Sequence, residues 1–506
     1  MADTPKPVKP ENKHLRQNVL IIVLCLAFFA AGISVPLIFR KGTSADSDSP
    51  LGKLESVYEI LQDKWYYAPT DEDLDTRLVE QAIAGMTSLE EDPHTNYFSL
   101  EQAQQFSQSL AGSNVGIGIS FYPGDQGQMV VKSVFINSTA DQAGIVPGDQ
   151  IIKVGDKLAS GTSTEDLVSY IKSNENRPVD LDVIHADGSE EIVSVTPAVY
   201  DTTVSVQTID GKGYVILNSF SEQSAKVFAQ ALKKLQVQGV HELILDLRNN
   251  TGGYLSSALD IASSLLPQDT VVFQEKTRDG NVTSFTTRNT YAQIPFDKIV
   301  VLQNGGTASA SEVLIGALKD NLPADDVILI GSKTYGKGTE QTSIPFEDGT
   351  SLKYTIAEWL TPNGTSINKT GFEPDIAVED RAINLARYAD MAEDEFITPD
   401  SVHTNAKAAQ IFLDYLGYPV DRMDEYFSSA SSESLRQFQT DHGLGSTGII
   451  DKPTFDALVN AVSLQLNTNS FEEDDDLQAA LNYLGGSGQD TTRIEESASV
   501  SEQTGE

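Results

Sequence analysis

Apolar positions set a changing rhythm along this chain. From Val19 to Phe39 the run VLIIVLCLAFFAAGISVPLIF carries no charged residue, close to the ~20 residues that a helix needs to cross a bilayer. From Leu51 to about Gln108 the spacing turns helical, in LESVYEILQDKWYY and again in LVEQAIAGMTSL. Short strand-like pieces follow, GIGISF, MVVKSVF and VDLDVI, cut by the turn pairs Pro123-Gly124, Pro147-Gly148 and Asp187-Gly188. Between Thr203 and Glu379 strand and helix alternate. ELILDL, LSSALDIASSLL, KIVVL, SASEVLIGALKD and VILI predict a βαβ core whose functional loops leave the carboxyl ends of its strands. A second helical unit ends near Leu466, and beyond it lies an acidic tail with the run EEDDD at Glu472 to Asp476. That composition predicts disorder, although LQAALNYL could finish the preceding domain.

The expected architecture is therefore α+β and multi-domain. It comprises a cytoplasmic stub (1–16), a transmembrane anchor (17–40), a linker (41–50), a helical region (51–112) and a β-rich module (113–198). An α/β core (199–385), a second linker (386–403), a small all-α unit (404–466) and the tail (467–506) complete it. Lys6, Lys9, Lys13 and Arg16 precede the apolar run, against Arg40 and Lys41 after it, which favours a cytoplasmic N-terminus and an extracytoplasmic body. The alternative is a cleaved signal peptide, whose apolar core is usually only ~7 to 15 residues.

Composition narrows the partners. A length of 506 residues predicts two to four domains, and 40% apolar with 21% charged residues is enough to bury real cores. A formal net charge of -38 would repel nucleic acid and anionic membrane surfaces alike. Cys25 is the single cysteine, so neither an intramolecular disulfide nor a cysteine metal site can form. No EF-hand spacing appears among the acidic residues, and no metal or cofactor is expected.

The candidate chemistry sits in Asn304 to Gln341, NGGTASASEVLIGALKDNLPADDVILIGSKTYGKGTEQ. Ser309 leaves a strand and starts a helix, where backbone amides and the helix dipole favour an oxyanion. None of the six histidines lies near it in sequence; a Ser-His-Asp site would have to draw on His94, His185 or His241. A lysine serves instead if burial keeps it neutral, and Lys337 stands between Gly336 and Gly338 after the third strand. Period-two alternation from there would put Lys337, Thr339 and Gln341 on one face, so Gln341 can orient the amine.

This segment resembles the active-site region of the C-terminal processing peptidases, or tail-specific proteases, with their S-A-S-A-S-E run and F-G-K-G-x-x-Q motif. Thr307 replaces the first serine and Tyr335 the phenylalanine. The resemblance implies a ClpP/crotonase-like core with a Ser309–Lys337 dyad, assisted by Gln341. DLRNNTGGYLSSALDIA, from Asp246, resembles the family's DLRxNPGG motif, which implies an oxyanion hole from Gly252 or Gly253 together with Ala310. SLKYTIAEWLTPNGTSINKTGFEPDI resembles the run that closes these catalytic domains. GIGISF with Ala143 to Asp149 resembles a PDZ domain, implying that Gly116, Ile117, Gly118 and Ile119 present amides to a substrate's C-terminal carboxylate. AAQIFLDYLGY and SESLRQFQTDHGLGSTGIIDKPTFDAL resemble the three-helix peptidoglycan-binding repeat. The implied partners are proteins with unstructured C-termini and peptidoglycan.

Blander readings stand beside these. Most serines at helix starts are caps, a lysine in a glycine loop can be a surface lysine, and Gly252-Gly253 can be a plain strand-to-helix turn. SYIK at Ser169, SINK at Ser366 and KTG at Lys369 hint at a penicillin-binding enzyme, but no S-D-N is present and SINK overlaps KTG. Trp65 and Trp359 read as packing residues. Of a different class is the alternative of a non-catalytic wall scaffold that uses only the PDZ and peptidoglycan-binding units. The intact dyad favours the peptidase.

Overall fold

The computed structural model describes residues 49–69, 73–379, 381–468 and 472–485. The expected membrane span lies outside them, and among the described residues no helix is long and apolar enough to cross a membrane. The chain divides into two units at Leu89. In the first, helices Pro50–Lys64 and Leu74–Thr87 start on side-chain caps from Ser49 and Asp73.

In the second unit, the α/β core is a six-stranded sheet. Its strands are β1 (Val204–Ile209), β2 (Lys212–Leu217), β3 (Glu242–Asp246), β6 (Lys298–Gln303), β7 (Val327–Gly331) and β10 (Ile376–Ala377), in the order β1-β2-β3-β6-β7-β10. The β1–β2 pair is a hairpin; from β2 onward all pairs are parallel. Crossover helices α1 (Ser224–Val237), α2 (Leu255–Leu265) and α3 (Ala310–Asn321) supply the first three of those connections. The row Val215–Leu245–Val301–Leu329 runs across four strands and packs into the core with all three helices.

The intervening row, Tyr214–Ile244–Val300, is apolar too and faces the other way. Strands buried on both faces read as continuous apolar runs, so this face also needs a cover. It comes from the acidic tail. Helix α7 (Asp475–Gly485) lays Leu477, Ala480 and Leu484 on Tyr214, Ile244, Val300, Leu302 and Ile330. The expectation of a disordered tail from residue 467 is thus corrected for 475–485: three apolar side chains at helical spacing find an apolar sheet face, which charge composition alone does not reveal.

A second sheet is centred on β9 (Ser351–Leu360), which pairs with β8 (Thr339–Pro345) and with β4 (Val271–Thr277), itself paired with β5 (Val282–Thr286). Its remaining partner is the strand Asn96–Phe98, antiparallel to Ser351–Lys353. The stretch expected to be wholly helical over 51–112 therefore contributes a strand to the peptidase sheets. The β-rich module is a separate six-stranded sheet over Ile119–Val195 with its own core around Ile151, Leu167 and Leu181, and helix Thr164–Ser173. It touches α1 through Asn137–Gln230 (2.8 Å) and Asp141–Lys234 (3.0 Å).

The C-terminal unit packs α4 (Thr404–Tyr415), α5 (Ser429–Asp441) and α6 (Lys452–Thr468). It is not all-α, and the residues before it are not a linker. Phe396–Ile397 pairs with Ile450–Asp451, Ser401–Val402 pairs with Tyr426–Phe427, and Met391 and Ile397 are buried in its core. The polar residues of 386–403 hide these few apolar anchors.

Candidate active site

The β3 strand delivers its carboxyl end to a loop that cannot carry side chains at residues 252 and 253. Gly252 has φ +99°, and a Cβ there would stand 2.9 Å from Ala308 O, Ala310 N and Ser309 Cβ. Gly253 has φ +144°, and a Cβ would lie 2.2 Å from Phe220 O. The glycines let this loop lie directly on the turn that carries Ser309. Three bonds fasten the two: Ala308 N to Asn250 O (3.0 Å), Ser311 Oγ to Asn250 O (2.8 Å) and Thr307 Oγ1 to Leu247 O (2.8 Å).

Ser309 is the N-cap of α3 with φ +59° and ψ -118°, a conformation that costs a non-glycine residue about 1–3 kcal/mol. The surrounding contacts hold it there, only 8% exposed. Next to it, the N–H groups of Ala310 and Gly253 donate no hydrogen bond among the described residues. The Gly252 N–H, expected as a third candidate, is taken by Asn250 Oδ1 at 2.9 Å. Gly252 gives close approach; the donors left open are Gly253 and Ala310.

Lys337 reaches the site from the loop between β7 and β8. Its carbonyl accepts from Trp359 Nε1 at 2.9 Å, and Trp359 is fully buried. Gly336 and Gly338 press on Asn368–Gly371, where added Cβ atoms would come within 2.7–2.9 Å. The overlapping SINK and KTG look-alikes therefore form the wall of the lysine loop. Burial pushes the Lys337 ammonium down to about 8, helped by the Lys353 charge and opposed by the Glu312 and Asp92 carboxylates.

Glu312 is the residue that the sequence reading missed. It is fully buried at the third position of α3 and joins the two halves of the site. Its Oε2 accepts from Ser309 N and Lys337 N (both 2.9 Å), and its Oε1 accepts from Gly336 N (2.7 Å) and Thr334 Oγ1 (2.6 Å). The spacing S-x-x-E at Ser309 and Glu312 was its signal, the second half of a capping box.

The side chains of Ser309 and Lys337 are not hydrogen-bonded to each other among the described residues, and Gln341 does not hold the amine. Its Nε2 donates to Thr339 Oγ1 (2.9 Å) and Thr355 Oγ1 (3.2 Å). A bulge at Ile356 on β9 brings Thr355 opposite Gln341. Thr355 Oγ1 donates in turn to Asp92 Oδ1 (3.0 Å), and Thr355 N donates to Thr95 Oγ1 (3.1 Å). His94, in that same upstream segment, is pushed down by burial and by the nearby Lys337 charge. Of the three alternative bases, only His94 lies at the site. His185 pairs with Asp149 in the β-rich module, and His241 precedes β3, at the opposite end of that strand.

In the β-rich module, Ile117 and Gly118 donate no backbone hydrogen bond among the described residues, and Gly118 has φ +85°. Gly116 ends the strand Ser113–Gly116 and Ile119 begins the next. The Ile117 and Gly118 carbonyls anchor the loop: Ala140 N donates to Ile117 O (2.9 Å) and Phe135 N to Gly118 O (3.0 Å).

A buried serine at a strained helix start, two open amides beside it and a desolvated lysine whose backbone is tied to the same carboxylate make this the candidate active site. Residues 211–378 match Peptidase family S41, residues 130–184 match the PDZ domain, and residues 402–458 match "Putative peptidoglycan binding domain". The carboxy-terminal processing protease CtpB of Bacillus subtilis is 31% identical over 440 residues, 86% of this chain and 88% of that protein. The same organism's carboxy-terminal processing protease CtpA is 30% identical over 455 residues, 89% of this chain and 94% of that one. Among solved structures, the photosystem II D1 C-terminal processing protease is 26% identical with a TM-score of 0.38, covering 67% of this chain and 89% of its own. The chain belongs to the carboxy-terminal processing serine proteases of peptidase family S41.

Proposed function

We propose that this protein is a membrane-anchored, extracytoplasmic endopeptidase working through a Ser309–Lys337 dyad, which takes substrates by their C-termini and is tethered to peptidoglycan. The observation that carries the reading is the strained Ser309 beside the open amides of Gly253 and Ala310, with the Lys337 loop held by the same Glu312 carboxylate. Neutral Lys337 takes the Ser309 proton as Oγ attacks the scissile carbonyl. The two amides, at the positive end of α3, receive the oxyanion. The lysine then protonates the leaving amine, and water, deprotonated by the same lysine, releases the acyl group. A substrate's terminal carboxylate sits on the Ile117 and Gly118 amides, with its last residues added as a strand beside Ile119–Pro123. Anchor and wall tether rest on the apolar run at Val19–Phe39 and on the C-terminal unit's likeness to peptidoglycan-binding domains.

The test is proteolysis of casein by the purified protein. Ser309→Ala is inactive, and Lys337→Arg nearly as inactive, because a guanidinium stays protonated. Wild-type activity rises as pH rises through about 8, where the lysine becomes neutral. Proteolysis by folded Lys337→Arg within a few-fold of wild type would overturn the dyad and move the search to His94.

A further inference from the structure

The loop that carries Gly252 and Gly253 begins at Arg248, and Arg248 is held by the far end of the chain. All five guanidinium N–H groups are used. Nε donates to Asp246 Oδ1 (3.0 Å), and Nη2 donates to Asp246 Oδ2 (2.6 Å) and Asp474 Oδ2 (2.7 Å). Nη1 donates to Asp474 Oδ1 (2.6 Å) and Asp476 Oδ2 (3.1 Å). Tyr214 closes the cluster by donating to Asp246 Oδ2 at 2.7 Å, and Asp474 also caps α7 through Leu477 N at 3.1 Å. Next to it Arg381 pairs with Glu473 and Asp475. The same short segment thus seals the outer face of the sheet with Leu477, Ala480 and Leu484 and supplies two carboxylates to the arginine.

The loop is therefore gripped from two sides. On the nucleophile side Asn250 ties it down, its Nδ2 donating to Leu217 O at 2.6 Å and its Oδ1 accepting from Gly252 N. On the other side Arg248 reaches out, and two of its three carboxylate partners lie more than two hundred residues downstream. A bidentate guanidinium–carboxylate contact fixes direction as well as distance, so the segment sets where the backbone of residues 248–253 runs.

We propose that Arg248 is a positioning residue for the oxyanion loop, and that the segment Glu472–Gly485 is an integral strap of the catalytic domain, required for it to be competent. This rests on the assignment of Gly253 and Ala310 as the oxyanion donors. Nothing in the strap touches substrate. It acts by holding Arg248, and through it the Gly253 amide, at the distance the tetrahedral intermediate needs. The Asp carboxylates matter for their charge and fork geometry, and the apolar residues only for docking.

The experiment uses the full chain with Asp474→Asn and Asp476→Asn together, which keep size and the apolar seal, and Ser309→Ala as reference. The readouts are casein cleavage, kcat and KM on a short unstructured peptide, inhibition by a peptide aldehyde whose Ser309 adduct places its oxygen in the oxyanion hole, and thermal unfolding. Losing an entire oxyanion donor costs about 10²–10³ in kcat; a displaced one should cost about tenfold. The expected result is a kcat lower by about tenfold, KM within twofold, and aldehyde inhibition weakened by a similar factor, at a temperature where the variant is fully folded. A variant that melts earlier yet keeps wild-type kcat and aldehyde affinity would reduce the strap to a structural brace and overturn the proposal. Arg248→Lys gives a second reading, since one ammonium cannot serve three carboxylates, and wild-type kcat in that variant would overturn it too. If Ser309→Ala itself cleaves casein, the site assignment fails instead, which separates the two outcomes.

Discussion

Glu312→Gln probes the join between nucleophile and base. The carboxylate has two acceptor oxygens, each serving two donors; the amide has one oxygen and an NH₂. The least costly orientation keeps the oxygen on Ser309 N and Lys337 N and turns NH₂ toward Thr334 and Gly336. The Thr334 hydroxyl can rotate to accept, but the Gly336 N–H then faces another donor in a buried site. One unpaired buried donor costs about 1–3 kcal/mol. If that cost appears in the arrangement of the dyad, kcat/KM falls by about 5- to 150-fold. A second effect has the opposite sense. The Glu312 charge favours protonated Lys337, against burial and Lys353, so its removal leaves the lysine easier to deprotonate. The acid limb of the kcat/KM profile, near pH 8 in the wild type, should therefore move to lower pH while the plateau drops. Asp92 and His94 also face the lysine and are unchanged by this substitution. The assay is initial-rate peptide cleavage from pH 5.5 to 10, below the melting temperature of both proteins. An acid limb that stays put or moves upward, or a plateau within twofold of wild type, refutes the reasoning.

Lys337→Met should abolish cleavage while stabilising the fold. A lysine held at about 8 against its ordinary 10.5 carries a penalty of about 3 kcal/mol at neutral pH. In the wild type that penalty shrinks as pH rises from about 8 toward 10.5, so the stability gap between the two proteins, read by urea unfolding, should narrow over the same range. Leu477→Ala, on the strap's buried face, should lower unfolding free energy by about 2–5 kcal/mol. A change below about 1 kcal/mol would mean that the helix does not seal the sheet.

The middle of the core was legible because its central parallel strands read as apolar runs and helices α2 and α3 as 3.6-residue stripes. ELILD, KIVVL and VILIG all became strands of one sheet. The turn residues were equally readable. Gly252, Gly253, Gly336 and Gly338 sit where a side chain would strike backbone, so glycine is required by geometry. What stayed hidden depends on long-range pairing. Asp92, Thr95 and His94 lie in a polar stretch with no periodicity, and only the pairing of Asn96–Phe98 with β9 brings them beside Lys337. The placement of Gln341 turned on a bulge at Ile356, which no pattern in β9 marks. The strap had one overlooked signal. Strands apolar at every position demand cover on both faces, and α1, α2 and α3 all pack on one of them.

Reading modules from sequence suggests beads on a string, whereas this peptidase is interleaved. Its catalytic sheets and their cover draw on residues near Asp92–Phe98, on Val204–Ala377 and on Asp474–Gly485. The PDZ-like module is inserted at the first junction and the C-terminal unit at the second. Each therefore enters and leaves through catalytic elements: the first between the strand beside Lys353 and β1, the second between β10 and the strap that clamps Arg248. The consequence is practical. A chain ended after β10 loses Asp474, Asp476 and the apolar seal along with the C-terminal unit, and any loss of activity would be misread as a role for wall binding. Replacing the C-terminal unit between Ala377 and Glu472 with a short flexible linker keeps the strap, and only that deletion separates tethering from catalysis.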